Sequence, residues 1–392
     1  MTTRVDPNSP VNWLGTIVLT STTLAALVLV PLYAWFFDFG TAAWVSFVVL
    51  AIFNGMSITG GYHRLWAHRA YEAHWTVKLF FMVFGSMTLQ NSILVWASGH
   101  RTHHRHVDDP EYDPYSIKRG FWFAHMGWML RRYESGAEDF RNAPDLLKDP
   151  IVSFQQKHYI ALATGTNILI PFFIGLAAGD VLGVMLLGGL FRLVWCHQTT
   201  FFINSLAHIW GRRPYTDENT ARDNDFLAIF TYGEGYHNYH HLFQYDYRNG
   251  VRWYQLDMTK WLIAGLSAIG LTSNLKRVPK FQIEKARVTM AFKRAEEKIQ
   301  KTQARHTTRT AAQLEAFKAK VAQEYKHFSE ALQEWASLKE AWYNQAKAEL
   351  LHGEVLAQYK TKFKALETEL KQQRKRMRSL LRQRMSGLAL AA

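Results

Sequence analysis

Eight of the 17 histidines in this chain fall into three tight groups whose spacing suits metal binding. His63 and His68 stand as His-x4-His, and His100, His103 and His104 as His-x2-His-His. His237, His240 and His241 repeat the second pattern. On an α-helix, residues three or four apart share a face, whereas residues five apart diverge by roughly 140° and adjacent residues by about 100°. One helix therefore cannot easily aim both members of a His-His pair at a single ion. Two ions, each drawing ligands from several segments, satisfy the spacing better than one. Imidazole without a nearby thiolate suits iron, zinc, copper or nickel. Structural zinc needs about four ligands, and eight is twice that. A lone histidine is ordinarily a surface or core residue, but that reading does not account for three spaced clusters. A dinuclear centre does.

The elements that position these clusters are membrane helices. Of the 392 residues, 48% are hydrophobic, yet the mean hydropathy is slightly negative, so the apolar residues are concentrated in blocks. Trp13 to Phe37 and Thr41 to Tyr62 carry no charge, and each exceeds the roughly 20 apolar residues that span a bilayer. A third block runs from Tyr159 to Ala178 and a fourth from Val181 to about Ala207. Arg192 interrupts the fourth, where it either ends the span or is buried against protein with a partner. The predicted spans are thus about 13–37, 41–62, 159–178 and 181–207. Their length and lack of charge set them apart from soluble core helices. The first is too long for a signal peptide and lacks a small-residue cleavage site.

The turns Asp38-Phe39-Gly40 and Gly179-Asp180 contain no Lys or Arg. All remaining loops share the opposite side and hold essentially all the basic residues. The positive-inside rule therefore predicts both termini, the long loops and the histidine clusters in the cytoplasm. The single cysteine, Cys196, excludes an intramolecular disulfide and a cysteine-ligated cluster. A formal net charge of +14 suits a basic surface facing anionic lipid. The sequence carries no nucleic-acid motif, and no nucleic-acid partner is expected.

The chain reads as two helical hairpins, each followed by cytoplasmic polypeptide, and then a tail. Leu79 to Trp96 is apolar enough for a fifth span, but a fifth span would put the later histidines on the wrong side. It is therefore expected to form an interfacial or re-entrant helix. The eleven apolar residues from Trp261 to Leu271 are too few to span and should lie on the membrane surface. From about Phe281 the composition shifts to Ala, Glu, Gln, Lys and Arg. Phe317, Val321, Tyr325, Phe328, Leu332, Trp335, Leu338 and Trp342 recur at three- and four-residue steps. That period predicts an amphipathic helix or coiled coil over 281–392. Lys371 to Arg384 is basic without an acidic residue, so it reads as facing lipid, a partner or simply solvent.

These residues resemble the membrane fatty-acid desaturases of the acyl-CoA Δ9 (stearoyl-CoA desaturase) type. Gly60-Gly61-Tyr62-His63-Arg64-Leu65-Trp66-Ala67-His68-Arg69 is similar to the first signature of that family, and His100-Arg101-Thr102-His103-His104 to the second. Glu234-Gly235-Tyr236-His237-Asn238-Tyr239-His240-His241 is similar to the third. The resemblance extends to Asn204-Ser205-Leu206-Ala207-His208. It implies that His208 is a ninth histidine ligand and that Asn204 faces one metal through a water. The match covers about Asn12 to Lys280. Gln244 departs from it where proline is common after His-His-x-Phe, which bears on loop geometry rather than on the ligands. The implied fold is an all-α membrane protein with four transmembrane helices, a cytoplasmic helical cap holding the di-iron site over residues 1–280, and a separate helical tail.

The resemblance implies O2-dependent desaturation of a long-chain fatty acyl-CoA at two non-haem irons. Removing hydrogen from an unactivated methylene pair needs an oxidant stronger than any side chain, with the protein supplying geometry and a dry channel. The second imidazole nitrogens need acceptors, and Asp108, Asp109, Asp113, Asp225 and Glu234 are the candidates, one or two of them serving. By family position, Gln90, Trp96 and Thr200 shape the bend of the acyl chain. Phe47 and Ala51 close its tunnel, and Asn91, Arg131 and Arg132 bind CoA. On residue type alone, Trp96 is equally a packing residue and the arginine pair equally a headgroup anchor. The chain has no dinucleotide fingerprint, iron–sulfur set or His-Pro-Gly-Gly haem motif. A separate electron donor, a ferredoxin or cytochrome b5-like protein, is expected to dock on the basic face. Rival readings are a desaturase of lipid-linked chains and a membrane di-iron hydroxylase or alkane monooxygenase. A metal transporter would place its ligands at the midplane of the spans instead of at their ends.

Overall fold

The computed structural model describes residues 9–303, 311–347 and 353–389. Contacts divide the chain into two units, one formed by Met1–Arg213 with Glu218–Arg277, the other by Pro214–Asp217 with Val278–Ala392.

The first unit is built on four helices long and apolar enough to cross a membrane. These are α1 (Trp13–Phe36), α2 (Thr41–Ala67), and, after α3 (Trp75–Ser86) and α4 (Ile93–His106), α5 (Pro150–Ala178) and α6 (Val181–Ile209). Each starts where local chemistry allows. Asn12, Asp149 and Asp180 accept hydrogen bonds from the first free amides of α1, α5 and α6, and Pro150 occupies the first turn of α5. Gly179, with φ +69°, ends α5 in the left-handed conformation. Apolar side chains of α1 point outward, Trp35 being 84% exposed. A row of them is a stable surface only against lipid. The third span begins at Pro150, nine residues before the predicted start, and kinks at His158.

The stretch from Leu79 to Trp96 is not one helix. Helix α3 ends at Ser86, and α4 starts anew at Ile93, capped by Ser92. Between them Leu89 and Asn91 take positive φ. Buried side chains from elsewhere satisfy the backbone that the break exposes, as an apolar setting demands. Gln155 of α5 accepts from the Ile93 amide (2.7 Å) and donates to Met82 O (3.2 Å), Ser86 Oγ (2.7 Å) and Tyr62 OH (2.6 Å). Arg192 is fully buried and donates to Met87 O (2.9 Å), Gly188 O (3.0 Å) and Asn167 Oδ1 (2.8 Å). The intramembrane arginine thus has its partners, and they tie α5 and α6 to the turn carrying Gln90. Close packing of α3 on α2 needs Gly85, where a Cβ would lie 2.3 Å from the Tyr62 ring.

Among the shorter helices of the first unit are α7 (His237–Leu242) and α8 (Met258–Ala268). Helix α8 is half-buried with Trp261 exposed, as a helix at the membrane surface would be. Just past it, strand β2 (Thr272–Ser273) pairs antiparallel with strand β1 (Glu72–Ala73).

The second unit holds α9 (Lys280–Gln303), α10 (Ala311–Lys347) and α11 (Gly353–Ala389). Phe317, Val321 and Phe328 of α10 are buried with Phe281, Val288 and Phe292 of α9 and Leu366, Leu370 and Met377 of α11. The apolar stripe is therefore spent inside a helical bundle. Tyr325 and Trp342 remain exposed. Part of the basic run is also used internally: Arg374 Nε lies 2.7 Å from Glu284 Oε2, and Arg376 Nε donates to Glu324 Oε1 (2.8 Å). The side chains from residue 383 onward, Arg384 included, lie outside the described residues.

Candidate metal centre

Nine histidines converge in two groups. His63, His68, His100, His104 and His240 form one, and His103, His208, His237 and His241 the other, with ligand atoms within 4.8 Å of one another in each. Helix geometry explains the division. His100 and His104 are four apart on α4 and share a face, while His103 turns to the second group. On α7 the pair four apart is His237 and His241, and His240 turns to the first group. His208 comes from the last turn of α6. Asn204 sits one turn before it, half-buried.

His63 and His68 meet because α2 changes register. From Ser57 to Ala67 it is π-helical, and the His68 amide donates to His63 O at 3.0 Å. The two rings stand 4.7 Å apart. Closing the chain over five residues stacks side chains that an α-helix would splay apart, and such π segments recur at functional sites.

The inward atoms are the Nε2 nitrogens. His63 and His240 bring theirs to 3.0 Å, His68 and His100 to 2.9 Å, and His104 and His240 to 3.0 Å. In the other group His208 and His237 stand at 3.2 Å, His237 and His241 at 3.1 Å, and His103 and His241 at 3.4 Å. Several outward nitrogens meet acceptors. His63 Nδ1 lies 3.0 Å from Glu234 Oε2, and His103 Nδ1 lies 2.8 Å from Asp113 Oδ1. His208 Nδ1 lies 2.8 Å from Thr220 Oγ1, which donates to Asp108 Oδ1 at 2.6 Å. His100 Nδ1 lies 3.2 Å from Tyr115 OH. A proton held at Nδ1 leaves a lone pair at Nε2, so lone pairs face one another inside both groups. Only cations between them make that arrangement favourable. Nitrogen-only sets of five and four fit transition metals such as iron.

Burial favours the neutral form of six of the rings. It drives the affinity of His68, His100, His104, His237, His240 and His241 for protons well below the usual imidazole range, and neighbouring histidines push it lower. Burial pushes the Glu234 carboxyl up, but His63 and Arg64 outweigh it and hold it at about 2. Arg64 Nη2 donates to Glu234 Oε1 (2.9 Å), Arg64 Nη1 lies 3.0 Å from Asp257 Oδ1, and Asn249 Nδ2 donates to Glu234 Oε2 (2.6 Å).

Three of the five candidate carboxylates thus reach histidines: Asp108, Asp113 and Glu234. Asp109 instead accepts from the amides of Glu111 and Tyr112, and Asp225 pairs with Arg212 at the surface. Tyr115, Thr220, Arg64 and Asn249 were not legible as supporting residues, because no local spacing links them to a cluster.

Trp96 stacks on His100 with ring centroids 4.9 Å apart. Gln90 Nε2 donates to Thr200 Oγ1 at 3.1 Å. Both of these residues line a part-open pocket between α2 and α6, with Ile203, Gly55, Cys196 and Tyr232 among its other walls. Phe47 packs on Phe191 and Trp195, and Ala51 O accepts from Tyr232 OH; neither Phe47 nor Ala51 is among the lining residues. Asn91 lies exposed in the 87–92 turn. Arg131 Nη1 donates to Ser9 O (2.7 Å), and its backbone bridges Val11, while Arg132 is exposed.

Residues 39–270 match the family model described as fatty acid desaturase. The chain is 38% identical over 294 residues to acyl-CoA desaturase 1 of Saccharomyces cerevisiae, covering 73% of this chain and 56% of that protein. It is 41% identical over 260 residues to a probable acyl-CoA desaturase of Schizosaccharomyces pombe, covering 65% and 54%. It thus spans about half the length of these two relatives. An sn-1 stearoyl-lipid 9-desaturase of Anabaena variabilis is 31% identical over 285 residues, covering 72% of this chain and 100% of that protein.

Proposed function

The chain belongs to the fatty acid desaturase family, and on that premise we propose that it desaturates a long-chain saturated fatty-acyl thioester. Acyl-CoA is the favoured substrate, as the names of the yeast relatives suggest, and the Δ9 position follows from the family likeness. The observation that carries the reading is the pair of converging Nε2 groups beside a cavity between two spans.

His63, His68, His100, His104 and His240 would hold one iron, and His103, His208, His237 and His241 the other, with Asn204 facing one of the two through a water. The chemistry a pair of irons supplies when bound is reduction of O2 to an oxidant strong enough for an unactivated methylene. Asp108, Asp113 and Glu234 fix the rings in one tautomer, so each imidazole presents a lone pair inward. Gln90 and Thr200 give the cavity its bend and Trp96 walls the site at His100, while the spans keep water from the chain. Overall, the CH2–CH2 pair loses two hydrogens, and O2 with two electrons and two protons leaves as two waters. The electrons come from a separate ferredoxin or cytochrome b5-like donor docking on the cytoplasmic side, where the positive-inside rule puts both termini and the site.

Gas chromatography–mass spectrometry of lipids from a desaturase-deficient host expressing the chain tests this reading. A new cis double bond in C16 or C18 chains is expected. An alcohol product would favour a hydroxylase instead. Turnover of stearoyl phospholipid but not stearoyl-CoA by purified protein would move the substrate to lipid-linked chains, as the name of the Anabaena relative would have it.

A further inference from the structure

We propose that Tyr232 forms the floor of the acyl cavity and sets the length of chain accepted beyond the reacting carbons, an inference that rests on the acyl-chain reading above. The cavity descends from the metal ligands along two helices. On α2 it runs from Thr59, four residues before His63, down to Gly55 and Asn54. On α6 it runs from Ile203 down to Cys196. Gly55 therefore lies about two helical turns below His63, on the order of 10 Å. Tyr232 enters the lining at this lower level, and its hydroxyl donates to Ala51 O at 2.8 Å, one further turn from the histidines.

The ring is laid flat on α2. A Cβ on Gly55 would sit 1.9 Å from Tyr232 Cε2, so only glycine lets the phenol lie there. An aromatic cluster adjoins the lining at Phe230. Phe47 meets Phe191 at 5.1 Å and Trp195 at 6.1 Å, and Trp195 meets Phe230 at 5.9 Å. Tyr232 also holds φ +55°, a conformation that bulky residues seldom adopt and that surrounding structure must enforce. It is two residues from Glu234 and five from His237, so the loop that supports the metal ligands also places the floor. At this level the lining joins Phe230, Thr231 and Tyr232 of the loop to Asn54 and Gly55 of α2.

The test is a competition among acyl-CoA thioesters of 14, 16, 18 and 20 carbons, read as product ratio by chain length. Tyr232→Gly removes the ring at a position whose φ suits glycine. It should raise the C20-to-C16 product ratio by roughly tenfold or more, since a few methylenes of pocket discriminate on that scale. Cys196→Leu fills the opposite wall and should shift the ratio toward C14 and C16. Acyl-CoA binding to the metal-free variants, followed by equilibrium dialysis, should shift in the same directions without any turnover. Unchanged ratios and unchanged binding in Cys196→Leu, or in a folded Tyr232→Gly, would overturn the proposal. If the wild type yields no unsaturated product, the functional reading fails, while the binding series still decides whether Tyr232 limits chain length.

Discussion

Oε2 of Glu234 stands 3.0 Å from Nδ1 of His63, and its partner oxygen accepts two hydrogen bonds from Arg64, all three side chains being buried. One carboxylate therefore orients His63 and neutralises a buried guanidinium. Removing one partner of a buried ion pair typically costs about 3–5 kcal/mol. Glu234→Gln should lower the unfolding temperature and deplete metal from the five-histidine group. Asp113→Asn, whose carboxylate meets His103 and also the amides of Asp108 and Tyr115, should weaken metal affinity or turnover by roughly 10–100-fold. Asp109→Asn should leave both within about twofold, since the Asp109 carboxylate meets the amides of Glu111 and Tyr112 instead of a histidine. Equal losses in Asp109→Asn and Asp113→Asn would show that these contacts do not support the site.

Metal content follows from the two nitrogen sets. Anaerobically purified protein should carry about two irons per chain, and zinc should be able to replace them with loss of activity. His103→Ala and His104→Ala should each lower the metal count, because the two neighbours serve different groups. His106, which packs at a tilt against Tyr112 outside both groups, should tolerate alanine. Elemental analysis finding no more than one metal of any kind in the wild type would rule out a dinuclear centre.

Proton linkage makes the metal-free protein acid-sensitive. His68, His100, His104, His237, His240 and His241 bind protons less readily when folded than when unfolded. Their depressed folded values mean that stability is full above the unfolded value of about 6.5 and is lost as pH falls below it, by about 1.4 kcal/mol per pH unit for each group. Thermal unfolding of the apoprotein should therefore drop between pH 7 and pH 5. Added Fe(II) or Zn(II) should blunt the drop by competing with protons for Nε2. A flat profile without metal would show that these rings are not buried as neutral imidazoles.

The head of the substrate is tested at Arg132. It is exposed, whereas Arg131 already donates to Ser9 O. Arg132→Ala should raise KM for stearoyl-CoA about tenfold, the worth of one charge-assisted hydrogen bond, with kcat changed less. Rising salt should weaken binding in the wild type more than in the variant. KM unaffected by both the substitution and salt would remove Arg132 from CoA binding.

The tail should be separable at its structural boundary. A chain ending after Pro279 keeps the four spans and all nine histidines, and it should retain membrane insertion and metal. A chain ending near residue 310 keeps α9 but strips Phe281, Val288 and Phe292 of their partners in α10 and α11. It should aggregate more readily. Loss of metal from the shorter chain would make the bundle part of the catalytic unit.

Much of this protein is determined locally. Four apolar blocks define four membrane helices because the bilayer selects for length and absence of charge. Adjacent histidines must part company, since they project about 100° apart, and His103 with His104 and His240 with His241 do so. Other features depend on contacts that no local pattern carries. His63 and His68 converge because α2 takes a π register between Ser57 and Ala67, a helix form rarely adopted without tertiary support. The apolar run from Leu79 to Trp96 breaks at the 87–92 turn because Gln155 and Arg192 satisfy the freed backbone. The choice of Glu234, Asp113 and Asp108 over Asp109 and Asp225 was likewise settled in three dimensions. A hydrogen bond is decided within about an ångström, and nearness in sequence does not fix position that finely.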